Sequence, residues 1–384
     1  MDNFMFYSPT RFLFGKGEEE KAGAMCAQYG AKKVMIVYGG GSVVRSGLLD
    51  RVKASLDKAG VAYCELGGIQ PNPRLSSVYE GIQLGREQGV DFLLGVGGGS
   101  AIDAAKGIAV GILYEGDVWE LYKAGAEVPV SLPVGCVITL AATGTEGSAS
   151  SVLTNEETNE KCVAKGDLLR PVFSIMNPEL TCTLPAYQTA CGVTDIMMHI
   201  IDRYFTNTKD TFVVDEICEA LLRTVIKYGP IALEHPDDYN ARAQIMWAGT
   251  LAHNNLCGVG REQDWSNHGI QAPIGGLYDS AHGAGLATVC PAWMLYVYKH
   301  DIPRFVRWAT NVWGVENDVY DPEGIALEGI RRTKEFFKRM GMPVTLEELG
   351  VKEEDLDYLS KGRACGSFVK LKGDDIRAIL ELAR

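Results

Sequence analysis

A chain of 384 residues, 46% of them hydrophobic and with no low-complexity tract, carries enough apolar material for one large or two medium cores. Its net charge of -12 argues against nucleic acid or an anionic membrane surface as the main partner, because phosphates repel an acidic protein that lacks a basic patch, and none is present. No run approaches the roughly 20 apolar residues of a membrane-spanning helix, and the ten cysteines contain no C-x-x-C pair, which favours reduced thiols in a cytoplasm over a disulfide framework.

The opening stretch, MDNFMFYSPTRFLFGKG, lacks a basic segment followed by an unbroken apolar one and does not read as a signal peptide. Residues 33–38, KVMIVY, form a β-type run that Gly39, Gly40, Gly41 and Ser42 break before an amphipathic helical stretch over 43–60. The pattern repeats: VAYCEL, a Pro-Asn-Pro turn at 71–73, the helix SVYEGIQLGREQG, then DFLLGV, Gly97 to Gly99 with Ser100, and the helix AIDAAKGIAVGILY. Strands and helices alternating at this spacing predict a Rossmann-like parallel sheet covered on both faces. Another β-type run, VGCVITL at 134–140, leads into the hydroxyl-rich AATGTEGSAS, followed by a hairpin over 158–165 and the strand PVFSIM. Beyond Thr183-Leu184-Pro185 the apolar residues recur at three and four. The expected organisation is an α/β dinucleotide-binding domain over 1–183 and an all-α domain over 184–384.

The helix after Gly97, Gly98, Gly99 and Ser100 starts with unpaired N–H groups and a positive dipole end, and glycines let a pyrophosphate approach the main chain. The spacing is not G-x-G-x-x-G, and a glycine turn after a strand is as often purely structural. Gly39, Gly40 and Ser42 close the first strand, where an adenine ribose lies in a doubly wound sheet. No Asp or Glu stands there to bind a ribose 2′-hydroxyl and repel a 2′-phosphate, and Arg45 follows, so the turn leans toward NADP(H) over NAD(H) unless Arg45 is only a solvated helix charge. Thr139, Thr143, Thr145 and Lys161 offer donors for phosphate or the nicotinamide amide, or are plain polar turn residues.

In the helical half, Asp195 and His199 stand four apart, on one helix face one turn from each other. His268 and His282 follow, fourteen residues apart in a glycine-rich apolar stretch. Singly, each imidazole reads as well as a satisfied core or surface histidine. Together, one carboxylate and three imidazoles make a full ligand set for Fe(II) or Zn(II) rather than Mg or Ca. His235, His253 and His300 lack such company. Asp202, one turn beyond His199, is a candidate to support that imidazole, or a structural salt bridge.

The motifs PTRFLFGKG, YGGGS at 38–42, PNP at 71–73, GGGSAIDAAK at 97–106, TGTE at 143–146, GVTDIMMH at 192–199 and HGAGLA at 282–287 occur in an order that resembles the iron-containing (group III) alcohol dehydrogenases, on their butanol dehydrogenase and broad aldehyde reductase branch. The resemblance implies a dehydroquinate synthase-like fold and NAD(P)H-linked interconversion of small alcohols and aldehydes. It implies a metal, Fe(II) first and Zn(II) second, held by Asp195, His199, His268 and His282. Gly97 to Ser100 would hold the pyrophosphate, Asn72, Thr139, Thr143 and Lys161 would belong with the coenzyme residues, and the protein would be a homodimer. One departure stands out: the family's usual further histidine, four residues after the third ligand, is Ala272 here, followed by Pro273. Two rival readings stay open: a carbon–oxygen lyase of the dehydroquinate synthase kind, a different reaction class on a similar fold, and, suggested by Ala272, a metal- or nucleotide-binding relative that has lost catalysis. The lyase would need a lysine- and arginine-rich pocket, whereas residues 250–290 carry Arg261 as their one strong cation.

Overall fold

The computed structural model describes residues 1–384, which fall into two compact units, Tyr7–Thr183 and Leu184–Arg384, the latter joined by Met1–Phe6. The first six residues therefore belong with the helical unit, not with the α/β domain to which 1–183 assigned them. Their backbone explains it, since the Met1 amino group donates to Lys209 O and the Asp2 N–H to Gly260 O.

The Tyr7–Thr183 unit contains eight strands: β1 (Arg11–Phe14), β2 (Lys33–Gly39), β3 (Ala62–Ile69), β4 (Phe92–Gly97), β5 (Val134–Ile138), β6 (Ser150–Asn155), β7 (Glu160–Lys165) and β8 (Phe173–Met176). Six form a parallel sheet in the order β1-β8-β5-β4-β2-β3. β4 and β5 are buried at every position, as strands covered on both faces must be, and this is why they read as unbroken apolar runs. On one face Val34, Ile36 and Leu94 meet Ala22, Met25, Val52 and Leu56; on the other Met35, Val37 and Leu93 meet Val78, Ile82, Ala105 and Ile108. From β2 the chain adds β3 on one side and then crosses to add β4 on the other. The winding thus reverses between β2 and β4, the point where a doubly wound sheet opens a crevice at its carboxyl ends. Tyr38 pairs with Val96 and Gly97 with Ile138, which sets the turns after β2, β4 and β5 side by side.

Three local details differ from the sequence expectation. The stretch 43–60 is two helices, Ser42–Arg45 and Leu48–Ala59, because Gly47 adopts a left-handed conformation (φ 69°) between them. The hairpin is longer than 158–165, pairing β6 with β7 from Ser150 to Lys165. RFLF at 11–14, carried only as a motif, is the edge strand beside β8.

The second unit is helical apart from a two-residue antiparallel pair, Ala364–Cys365 with Leu371–Lys372. At its centre lies the Ala186–Tyr204 helix, buried without interruption from Gly192 to Tyr204. The helices Ser266–Tyr278 and His282–Val297 pack against it and against each other. No helix in the chain is long and apolar enough to cross a membrane.

Candidate functional site

Asp195 and His199 project from the buried face of the Ala186–Tyr204 helix. His268 lies in the first turn of Ser266–Tyr278, and His282 is the first residue of the next helix. Two residues in the left-handed region, Trp265 (φ 62°) and Asp279 (φ 46°), bracket Ser266–Tyr278 and aim the two imidazoles at the same point. Asp195 Oδ1 lies 3.5 Å from His199 Nε2, 3.8 Å from His268 Nε2 and 3.6 Å from His282 Nε2. These separations are long for hydrogen bonds. A tetrahedral cation with bonds of about 2.1 Å holds its donor atoms roughly 3.4 Å apart, so the three Asp195–imidazole separations match edges of such a shell. The donor atoms of Asp195, His268 and His282 lie within 4.8 Å of one another, and His199 joins this set through its approach to Asp195. Asp195 Oδ1 and His268 Nε2 are buried with no hydrogen-bond partner, a costly state for polar atoms unless something else satisfies them. The donor set fits Fe(II) or Zn(II).

Behind two of the imidazoles, His268 and His282, stand acceptors that fix their tautomers. Asp202, fully buried, accepts from His268 Nδ1 at 2.6 Å and from Asn267 Nδ2 at 2.6 Å. Sequence spacing pointed Asp202 at His199, but its carboxylate turns instead to the start of the neighbouring helix. Gln271 Oε1 accepts from His282 Nδ1 at 2.6 Å. His253, which sequence context set aside, has its ring 4.0 Å from that of His199, and Arg203 links them, reaching His253 Nδ1 at 3.0 Å and donating to His199 O at 2.6 Å. Burial pushes His199 well below its usual 6.5, helped by His253, His268, Arg203 and His282, which favours the neutral, ligating form. Burial works the same way on His268, but the attraction of the Asp195 and Asp202 carboxylates outweighs it and holds that imidazole at about 9.

Gly283 lets the two metal-bearing helices approach. A Cβ there would lie 2.2 Å from Cys191 O, a backbone atom that cannot step aside. Gly283→Ala is expected to cost about 1–3 kcal/mol, as overpacking does, and to move His282 away from Asp195. Chemical denaturation and Zn(II) titration of the metal-free protein should both register the change.

In the Tyr7–Thr183 unit, Gly98 precedes the Gly99–Leu113 helix without any side-chain cap, so its first N–H groups are open to an anion. Gly97 needs its glycine for φ 150°, and a Cβ on Gly99 would come within 2.6 Å of Thr143 Oγ1, so the β4 and β5 turns are in close contact. Ser100 and Thr139 sit half-buried on the same two turns, with the Thr139 N–H donating to Gly97 O. Lys161 Nζ donates to Asn72 Oδ1 at 3.2 Å, which joins two of the expected coenzyme residues. Gly40 has open space around it, Ser42 is exposed, and an Arg45 guanidinium nitrogen lies 3.1 Å from where a Cβ on Gly41 would stand. Thr145 does not fit its expected role. Its hydroxyl is buried, donating to Asp103 Oδ1 at 2.5 Å and accepting from Lys106 Nζ at 2.9 Å, so it anchors the loop and has no proton left for a coenzyme.

The family model for iron-containing alcohol dehydrogenases matches residues 9–178, and the model for the C-terminal part of Fe-containing alcohol dehydrogenases matches residues 189–383. The NADH-dependent butanol dehydrogenase A of Clostridium acetobutylicum is 42% identical, covering 99% of this chain and 99% of that protein. The NADPH-dependent aldehyde reductase YqhD of Escherichia coli is 38% identical over 94% of this chain and 92% of its own length. The crystal structure of NADH-dependent butanol dehydrogenase A from Thermotoga maritima superposes with a TM-score of 0.96 at 40% identity, covering 100% of this chain and 99% of that one.

Proposed function

The chain belongs to the iron-containing alcohol dehydrogenase family, and from that premise we propose that it interconverts small primary alcohols, butanol-like in size, with their aldehydes, using a nicotinamide dinucleotide and a divalent cation at Asp195, His199, His268 and His282. The observation that carries the reading is the Asp195 oxygen ringed by three imidazole nitrogens at 3.5–3.8 Å. When bound, the cation supplies a Lewis acid for the carbonyl oxygen and the nicotinamide supplies the hydride. Asp195 offsets part of the cation's charge, and Asp202 keeps the His268 proton on Nδ1, leaving Nε2 free to ligate. Ala272 contributes no titratable group, so the proton of the alcohol leaves by a path other than the family's usual histidine. In this reading the Tyr7–Thr183 unit holds the dinucleotide, through Gly39, Gly40, Ser42, Asn72, Gly97 to Ser100, Thr139, Thr143 and Lys161, and the Leu184–Arg384 unit holds the cation. The same reading makes the protein a homodimer, as the family resemblance implies, and places it in the cytoplasm, where its ten cysteines would stay reduced.

The test is anaerobic purification with elemental analysis, followed by a panel of aldehydes from acetaldehyde to hexanal. The expected result is one divalent ion per chain and coenzyme oxidation that disappears on chelation and returns with Fe(II) or Zn(II). Undiminished turnover by metal-free protein would end the proposal.

For the coenzyme, the relatives include both NADH- and NADPH-dependent enzymes. NADP(H) is the form we propose, because the turn after β2 offers Gly40, Ser42 and the Arg45 guanidinium and no carboxylate. A charge-assisted contact to a 2′-phosphate is worth on the order of 10-fold in kcat/KM. Arg45→Ala should therefore narrow the ratio of NADPH to NADH by about that factor without changing kcat with NADH. A parent enzyme that prefers NADH would refute the assignment.

A further inference from the structure

Two of the converging imidazoles are held by acceptors of different charge. His268 donates its Nδ1 proton to the carboxylate of Asp202, and His282 donates its own to the amide oxygen of Gln271, both at 2.6 Å. Both acceptors are buried, Asp202 at 0% and Gln271 at 2% exposure, while the two imidazoles they hold are only partly covered. Space for the Gln271 side chain is cleared by two glycines. A Cβ on Gly275 would come within 2.8 Å of Gln271 Nε2, and one on Gly285 within 2.8 Å of its Cγ. Gly285 belongs to the HGAGLA motif that begins at His282, so the same short segment provides the imidazole and the room for the group behind it.

We propose that Gln271 is the positioning residue of His282 and that its neutrality sets the electrophilicity of the centre. The proposal rests on the metal reading above. The amide oxygen pins the His282 proton to Nδ1 and turns the Nε2 lone pair toward Asp195. Being uncharged, it polarises the imidazole less than a carboxylate does, so His282 is a weaker donor than His268. Asp195 and Asp202 together bring two negative charges to a divalent ion. A third at position 271 would bind the ion more firmly and blunt its pull on a carbonyl oxygen.

The test is anaerobic titration of metal-free protein with Co(II), followed through its visible ligand-field absorption, alongside steady-state aldehyde reduction. Gln271→Met fills the same volume without an acceptor. It is expected to weaken Co(II) binding by about 10- to 100-fold and to alter the spectrum, while the melting temperature of the metal-free protein stays that of the parent. Gln271→Glu is expected to bind Co(II) more tightly than the parent and to lower kcat, with KM changing less. A Gln271→Met protein with the parent's affinity and spectrum overturns the proposal. Should that variant not fold, unchanged Co(II) affinity in Gln271→Glu overturns it equally. His282→Ala separates the two layers: if it binds Co(II) like the parent, the ligand assignment itself is wrong. If it loses Co(II) while both Gln271 variants behave as the parent, only the role of Gln271 falls.

Discussion

His268→Ala is expected to leave the protein folded, to lower its metal content by at least about 100-fold in competition with a mild chelator, and to remove reduced-coenzyme oxidation with butanal to the same degree. Losing only the acceptor behind a ligating imidazole costs about 10- to 100-fold in affinity, and this substitution deletes a donor outright. It also leaves the fully buried Asp202 carboxylate without its imidazole partner, although Asn267 Nδ2 still donates to it at 2.6 Å. The loss of metal should therefore exceed the loss of stability, which elemental analysis and a denaturation curve can separate. His300→Ala is the matched control, because that imidazole is exposed and bonded to Asn207 rather than to the cluster. If His268→Ala retains metal and turnover while His300→Ala behaves like the parent, the four-ligand reading is wrong.

The parts of this architecture that a sequence can express are those with a local period. Asp195 and His199 declared themselves because a helix returns to the same face every four residues. The turns at Gly39–Ser42 and Gly97–Ser100 were visible as glycines ending apolar runs. Convergence over longer range was not visible. His268 and His282 meet Asp195 because Trp265 and Asp279 take left-handed conformations that no propensity assigns to a tryptophan. Direction is lost in the same way: Asp202 lies one turn beyond His199 yet bonds His268, since side-chain rotation and the neighbouring helix decide its partner. Gln271 gave no signal, being a neutral amide in a helix that its sequence presents as apolar and glycine-rich. Thr145 misled because a threonine in a phosphate-side loop looks the same whether its hydroxyl faces solvent or Lys106.

That last case carries a second large effect. Lys106 is fully buried, and its ammonium donates to Thr145 O at 2.8 Å, Thr145 Oγ1 at 2.9 Å, Ser148 O at 3.2 Å and Ser150 O at 2.8 Å, tying residues 145–150 to the glycine-turn helix. Lys106→Met would orphan these carbonyls and leave Asp103 buried without the positive charge that opposes its desolvation. Breaking such an arrangement from one side costs about 3–5 kcal/mol, and disorder in the loop after Thr143 should raise KM for the coenzyme while metal content stays at the parent level. Burial holds Lys106 down at about 8 against 10.5 in an unfolded chain, with Asp103 pulling the other way. Between pH 8 and 10.5 the unfolded state thus binds the extra proton, so this group adds to folding stability as pH rises. The deficit of Lys106→Met relative to the parent should therefore widen from pH 8 toward pH 10 in urea unfolding. A constant or shrinking gap would mean that the ammonium is not under the strain its burial implies, and that the loop is held by Thr145 and Asp103 without it.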